Sequence, residues 1–74
     1  MKITAEDIET ATEYDQLAEI DSPTREQNRR MYQILADLTE AGVKADAYLE
    51  MASMDIMEGR PAITLVEYLT RLSG

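Results

Sequence analysis

Apolar residues recur at spacings of three and four over most of the 74-residue chain. This is the period of amphipathic α-helices. No stretch shows the two-residue alternation that is typical of strands. The pattern predicts helices over about 5–19, 23–41, 44–58 and 65–72. We therefore expect an all-α fold, a small bundle of four short helices that forms a single domain over residues 1–74.

Capping residues mark the predicted ends of the first three helices. Thr4 is a suitable N-cap for the first helix. Ser22 as N-cap, followed by Pro23 at the first helical position, is expected to open the second. Gly42 and Gly59 suit the left-handed residue that closes the second and third helices.

The fourth helix has the clearest local start. Thr64 and Glu67 have the spacing of a capping box, in which each side chain binds the backbone amide of the other residue. Ile63 and Tyr68 occupy the two positions of a hydrophobic staple. A start at Pro61 is the alternative.

Each helix has an apolar stripe that is expected to face the core. The stripes comprise Ile8, Ala11, Tyr14, Leu17 and Ala18; Met31, Ile34, Leu35, Leu38 and Ala41; Ala45, Tyr48, Leu49, Ala52 and Ile56; and Leu65, Tyr68, Leu69 and Leu72. The third helix has a second apolar group on another side, made of Ala47, Met51, Met54 and Met57. This group predicts either a self-association or partner-binding surface or a helix enclosed at the centre of the core, and methionine suits adaptable contacts.

The charge is strongly negative, with a formal net charge of −8. Carboxylates are concentrated near the N-terminus, where only Lys2 opposes Glu6, Asp7, Glu9, Glu13, Asp15, Glu19 and Asp21. A negative chain is repelled by phosphate backbones and anionic lipids, so nucleic acid is an unfavourable partner and no membrane association is expected. No apolar run approaches the roughly 20 residues that span a bilayer. The start of the chain lacks a signal-peptide pattern, so the expected location is cytoplasmic.

Three carboxylates of the first helix form a candidate partner-binding ridge. Glu6, Glu9 and Glu13 share one side of the helix, opposite its apolar stripe. The ridge is interpreted either as a solvated surface that favours solubility or as a surface that binds a basic protein. A further form of the second hypothesis is mimicry of nucleic-acid phosphates.

Arginines at the start of the second helix form the third candidate site. Arg25, Arg29 and Arg30 are interpreted either as intramolecular salt-bridge partners of nearby carboxylates or as an anion-binding patch.

The turn at 41–43 also resembles that of a helix-turn-helix. The helix that follows it would meet DNA with a net negative charge, which disfavours DNA reading.

Catalytic and metal-binding patterns are not apparent. The chain has no Cys and no His, and it lacks a Gly-rich phosphate loop and a calcium-loop pattern. We therefore expect no enzyme activity, no cofactor and no metal. A chain this short forms a marginal core, and a second subunit is a common way to stabilise one.

Together these features predict a small acidic, non-enzymatic regulatory or inhibitory protein. It would bind and occlude a protein partner with a basic surface, as phage and mobile-element inhibitors do, and would act as a homodimer. One alternative is a structural homo-oligomeric helical assembly module. Another is a nucleic-acid-binding regulator that uses the helix-turn-helix-like turn at 41–43.

Overall fold

The computed structural model describes residues 2–74 as four α-helices. They are α1 (Ala5–Ala18), α2 (Arg25–Glu40), α3 (Ala45–Met57) and α4 (Leu65–Ser73). The predicted all-α bundle is thereby confirmed. α1 packs against α2 and α4, and α2 packs against α3. The molecule is flat, with principal extents of 33 × 30 × 17 Å. None of the helices within the described residues has the length and apolar character needed to cross a bilayer.

Capping boxes open α1 and α2. The Thr4 hydroxyl accepts from the Asp7 amide at 3.1 Å, and the Asp7 carboxylate accepts from the Thr4 amide at 3.0 Å. In the second box, the Thr24 hydroxyl accepts from the Gln27 amide at 3.1 Å, and the Gln27 side-chain oxygen accepts from the Thr24 amide at 2.8 Å. Each box satisfies two backbone amides that the helix itself leaves without an acceptor.

The predicted opening of α2 at Ser22 and Pro23 is wrong, because the N-cap is Thr24. A helix capped by Ser22 would place Arg25 at the third helical position. Arginine has no acceptor with which to return a bond to the cap amide. Gln27 provides that acceptor when Thr24 is the cap, so the later start satisfies one more amide.

The turns after α2 and α3 use glycine as predicted. Gly42 has a φ of +97° and Gly59 a φ of +79°. Residues that carry a side chain rarely adopt this left-handed backbone conformation, and glycine adopts it without steric cost.

The start of α4 differs from the predicted capping box. The Thr64 hydroxyl accepts from the Glu67 amide at 3.1 Å, as expected. Among residues 2–74, the Glu67 carboxylate does not accept a hydrogen bond from the Thr64 amide in return. Asp15 of α1 instead accepts from the Leu65 amide at 2.8 Å and from the Val66 amide at 3.0 Å. A carboxylate from another helix therefore binds the positive end of α4.

Asp55 performs a related role at the other end of the connection between α3 and α4. Its carboxylate accepts from the Ile63 amide at 3.0 Å and from the Arg60 guanidinium at 3.0 Å. Asp55 is half-buried, and Ile63 is buried in the core. Two aspartates thus fix the segment that leads into α4.

One core joins the four helices. Its buried members are Ala11, Tyr14, Ile34, Leu35, Leu38, Val43, Ala45, Tyr48, Ile63, Leu65, Tyr68 and Leu69. The Tyr14 and Tyr48 rings meet edge to face at 5.9 Å between centroids, and Tyr48 and Tyr68 lie 5.7 Å apart. The Tyr68 hydroxyl donates to the Lys44 carbonyl at 3.0 Å. The tyrosines therefore connect α1, α3 and α4 at the centre.

Four residues assigned to the apolar stripes are exposed. Ala18 and Ala41 lie at helix ends. Leu49 and Ile56 of α3 are 41% and 66% exposed. The core side of α3 centres on Tyr48, and both residues lie roughly 80–100° from it around the helix. Leu49 lies beside α2, which covers it only in part, and Ile56 is largely open to solvent.

Asp15→Ala should lower the free energy of unfolding by about 1–2 kcal/mol, since two amides of α4 lose their acceptor. Asp15→Asn retains one side-chain oxygen as an acceptor, so its free energy of unfolding should lie between those of Asp15→Ala and wild type. Urea denaturation followed by far-UV circular dichroism measures the change. Glu19→Ala, an exposed carboxylate next to α1, is the control and should stay within about 0.5 kcal/mol. Equal effects for Asp15→Ala and Glu19→Ala would contradict the capping role.

Candidate functional site

The three carboxylates of the acidic ridge differ in their surroundings. Glu6 and Glu9 are exposed, and neither takes part in an ion pair with the described residues. Glu13 instead receives two bonds from Arg30 of α2, from Nε at 2.6 Å and from Nη2 at 3.0 Å. The exposed negative part of the ridge is therefore its N-terminal pair, Glu6 and Glu9.

The Glu13–Arg30 pair joins α1 to α2 across the surface. Hydrogen bonding to Arg30 lowers the pKa of Glu13, and the same bond raises the pKa of Arg30. The two side chains remain 43% and 46% exposed. Ion pairs at this exposure are screened by solvent, so the fork orients the two helices more than it stabilises them.

Other carboxylates of the chain have internal roles. Asp7 closes the capping box of α1, Asp15 binds the start of α4, and Asp55 binds the Ile63 amide. Glu58 pairs with Arg60 at 2.6 Å. Part of the negative charge therefore serves the fold and is not available to a partner.

The three arginines do not act as one patch. Arg30 is engaged by Glu13, whereas Arg25 and Arg29 are exposed and outside the ion pairs of residues 2–74. Arg29 and Arg30 border a shallow depression of about 260 Å³ that Glu26 also lines. A carboxylate in the same depression disfavours binding of an anion there.

The second apolar group of α3 has a half-buried part and an exposed part. Ala47 and Met51 are half-buried and pack against the core. Met54 and Met57 project into solvent and are 58% and 85% exposed. The candidate contact area of this group is therefore reduced to the two methionines at the C-terminal half of α3.

An apolar groove lies between α2 and α3. It has a volume of about 200 Å³. Its lining consists of Tyr14, Asn28, Met31, Tyr32, Leu35 and Leu49. Tyr32 forms the outer wall and is 73% exposed, and Ile56 lies two turns beyond Leu49 on the same side of α3. A tyrosine in this position presents a large apolar ring to solvent beside other exposed apolar side chains.

The sequence pattern predicts no binding role for Tyr32, which the structure places at the surface. The available signal was its position, about 120° away from the apolar stripe of α2. An aromatic residue on the polar side of a helix has no role in that helix's own core. Its neighbour Leu49 was assigned to the core, so the groove could not be recognised from either residue.

The turn between α2 and α3 borders a larger open depression of about 480 Å³. Asp46 and Glu50 are exposed in its lining, with Lys44 as the one cation there. The helix-turn-helix alternative would require this region to approach phosphate. Its carboxylates oppose such an approach.

Glu13 should titrate at lower pH in the wild-type protein than in Arg30→Gln, because the variant loses the bond that lowers the pKa of Glu13. NMR detection of the side-chain carboxyl carbon measures this directly. The stabilisation from the pair is present above the pKa of Glu13 in the unfolded chain and is lost as pH falls through the lowered folded value. Arg25→Gln is the matched control and should leave the Glu13 titration unchanged. Identical titrations in wild type and Arg30→Gln would contradict the pairing.

Three solvent-facing features of residues 2–74 thus remain as candidate binding surfaces: the carboxylates Glu6 and Glu9, the groove beside Tyr32, and the methionines Met54 and Met57. Among the described residues, no group of three or more carboxylates is arranged to hold a metal ion. Burial raises the pKa of Tyr14 and of Tyr48, both of which lie in the core.

Comparison with protein-family models, with curated proteins and with solved structures gives no match to this chain.

Proposed function

We propose that the chain is a small, non-enzymatic regulatory or inhibitory protein that binds and occludes a basic surface of a protein partner. The observation that carries the proposal is the state of Glu6 and Glu9. Both are exposed on α1 and take no part in the ion pairs of residues 2–74, in a chain with a net charge of −8. Their spacing of three residues places them side by side on the helix.

Electrostatic attraction is the physical basis of this mechanism. A strongly negative protein is steered toward a positive surface, and the association rate rises as salt is lowered. Once bound, α1 would cover lysines or arginines that the partner uses for its own ligand. Where that ligand is a nucleic acid, the carboxylates would stand in for phosphates.

A structural homo-oligomeric module is the second candidate. The exposed methionines Met54 and Met57 favour it, since neighbouring exposed apolar side chains are typical of contact surfaces. In that case the negative charge would serve solubility alone.

The test is capture of partners from a lysate of the source organism with three tagged proteins. They are wild type, Glu6→Lys/Glu9→Lys, and the control Glu19→Lys/Asp21→Lys. Both variants reverse two exposed carboxylates, but the control residues follow the other end of α1. Circular dichroism confirms that each variant retains its helices, and captured proteins are quantified by mass spectrometry.

The ridge variant should recover at least about tenfold less of a specific partner, a loss in the range of an interface hot spot, whereas the control should change recovery by about twofold or less. Binding of the captured partner should weaken as salt is raised. Equal recovery by wild type and the ridge variant would contradict the proposed role of Glu6 and Glu9. Equal losses in the two variants would show that net charge, and not the ridge, determines binding.

A further inference from the structure

We propose that the groove between α2 and α3 is the interface of a homodimer, in which Tyr32, Leu49 and Ile56 of one copy pack against the same residues of a second copy. This surface is distinct from the carboxylates Glu6 and Glu9, so the inference goes beyond the proposed function. It also differs from the methionine group of α3.

The exposed apolar area in the groove and beyond it on the same side of α3 suits a small interface. Tyr32, Leu49 and Ile56 are 73%, 41% and 66% exposed. Because full burial of an aromatic side chain removes about 150–250 Å², the exposed part of Tyr32 presents on the order of 150 Å², and Leu49 and Ile56 add aliphatic area. A standard interface buries about 800 Å² per partner, of which somewhat more than half is apolar. The three residues therefore approach the apolar core of a weak dimer, and the half-buried Met31 adds to it.

The charges at the start of α2 and at the start of α3 favour a second copy as the occupant of the groove. Arg25 and Arg29 are exposed at the N-terminal end of α2. Asp46 and Glu50 are exposed near the start of α3, beside the turn that follows the C-terminal end of α2. A two-fold axis across the groove brings the basic end of each copy to the acidic end of its partner. The surface is therefore complementary to itself, as an isologous contact requires.

Other occupants fit the groove less well. A basic amphipathic helix would bring its cations against Arg25 and Arg29, and like charges in contact oppose binding. An acidic helix would meet Asp46 and Glu50 in the same way. Anionic lipid is opposed by the net charge of −8. A partner that carries both signs in the inverse order fits the surrounding charges best, and the chain itself provides one.

A dimer through the groove leaves the acidic ridge uncovered. Arg30, which binds Glu13 of the ridge, and Tyr32, which lines the groove, are two positions apart on α2. Two positions correspond to about 200° around the helix, so the residues point to opposite sides. Each dimer would therefore present two separate copies of Glu6 and Glu9, and a bivalent arrangement raises avidity for a partner with repeated basic sites.

The first test measures oligomeric state by sedimentation velocity from about 1 to 500 μM, a range that detects a weak dimer. Wild type should shift from monomer to dimer with concentration. Tyr32→Ser/Ile56→Ser should raise the dimer dissociation constant at least about tenfold. The matched control, Met54→Ser/Met57→Ser, removes two similarly exposed side chains on another side of α3 and should change it by less than about threefold.

The second test exchanges charges across the proposed interface. Arg25→Glu/Arg29→Glu and Asp46→Arg/Glu50→Arg should each associate at least about tenfold more weakly than wild type, and an equimolar mixture of the two should regain association. Circular dichroism establishes that every variant retains wild-type helicity. Rescue in the mixture supports the two-fold arrangement, because loss of folding in either variant could not produce it.

Three results would overturn the proposal. The first is a wild-type chain that stays monomeric at about 500 μM, whether or not a basic amphipathic peptide binds it. The second is a dimer that the methionine variant weakens and the Tyr32 variant does not. The third is a charge-exchange mixture that associates no better than its components. None of these bears on partner capture by Glu6 and Glu9, so the two proposals fail independently.

Discussion

The packing of α4 depends on the hydrogen bonds that the Asp15 carboxylate accepts from its first turn. α4 has nine residues, and an isolated helix of that length is not stable in water. It nevertheless carries Leu65 and Leu69, which are fully buried in the core. Asp15 binds two amides at its first turn and so fixes this helix against α1. Without that bond, two amides at the end of a short helix would lie half-buried and without an acceptor.

The same chemistry divides the negative charge of the chain into two uses. Asp15 and Asp55 bind backbone amides, and Glu13 binds Arg30, so these carboxylates hold helices and connections together. Glu6 and Glu9 have no such role within residues 2–74. The acid excess is therefore not one uniform surface. A helix that contributes both kinds of carboxylate can be anchored to the core on one side and offer charge on another.

The acidic ridge and the groove beside Tyr32 lie on different sides of α2. α3 packs against α2, which covers Leu49 only in part, and Leu49 and Ile56 remain exposed on one side of α3. α2 separates this apolar groove from the ridge, because Arg30 and Tyr32 point in opposite directions. A surface for self-association and a surface for a basic partner can thus coexist on 74 residues.

The sequence by itself determined the four helices and most of the core, since the helical period and the caps at Thr4, Gly42 and Gly59 are local signals. It also determined that α1 is strongly acidic. Only the tertiary structure decided that Asp15 caps α4, because the two partners lie 50 positions apart in the chain. It likewise decided that Leu49 faces solvent, since a helix with several apolar sides buries whichever side its neighbours cover. Local periodicity fixes where a helix forms, and the contacts between helices fix what each of its sides can do.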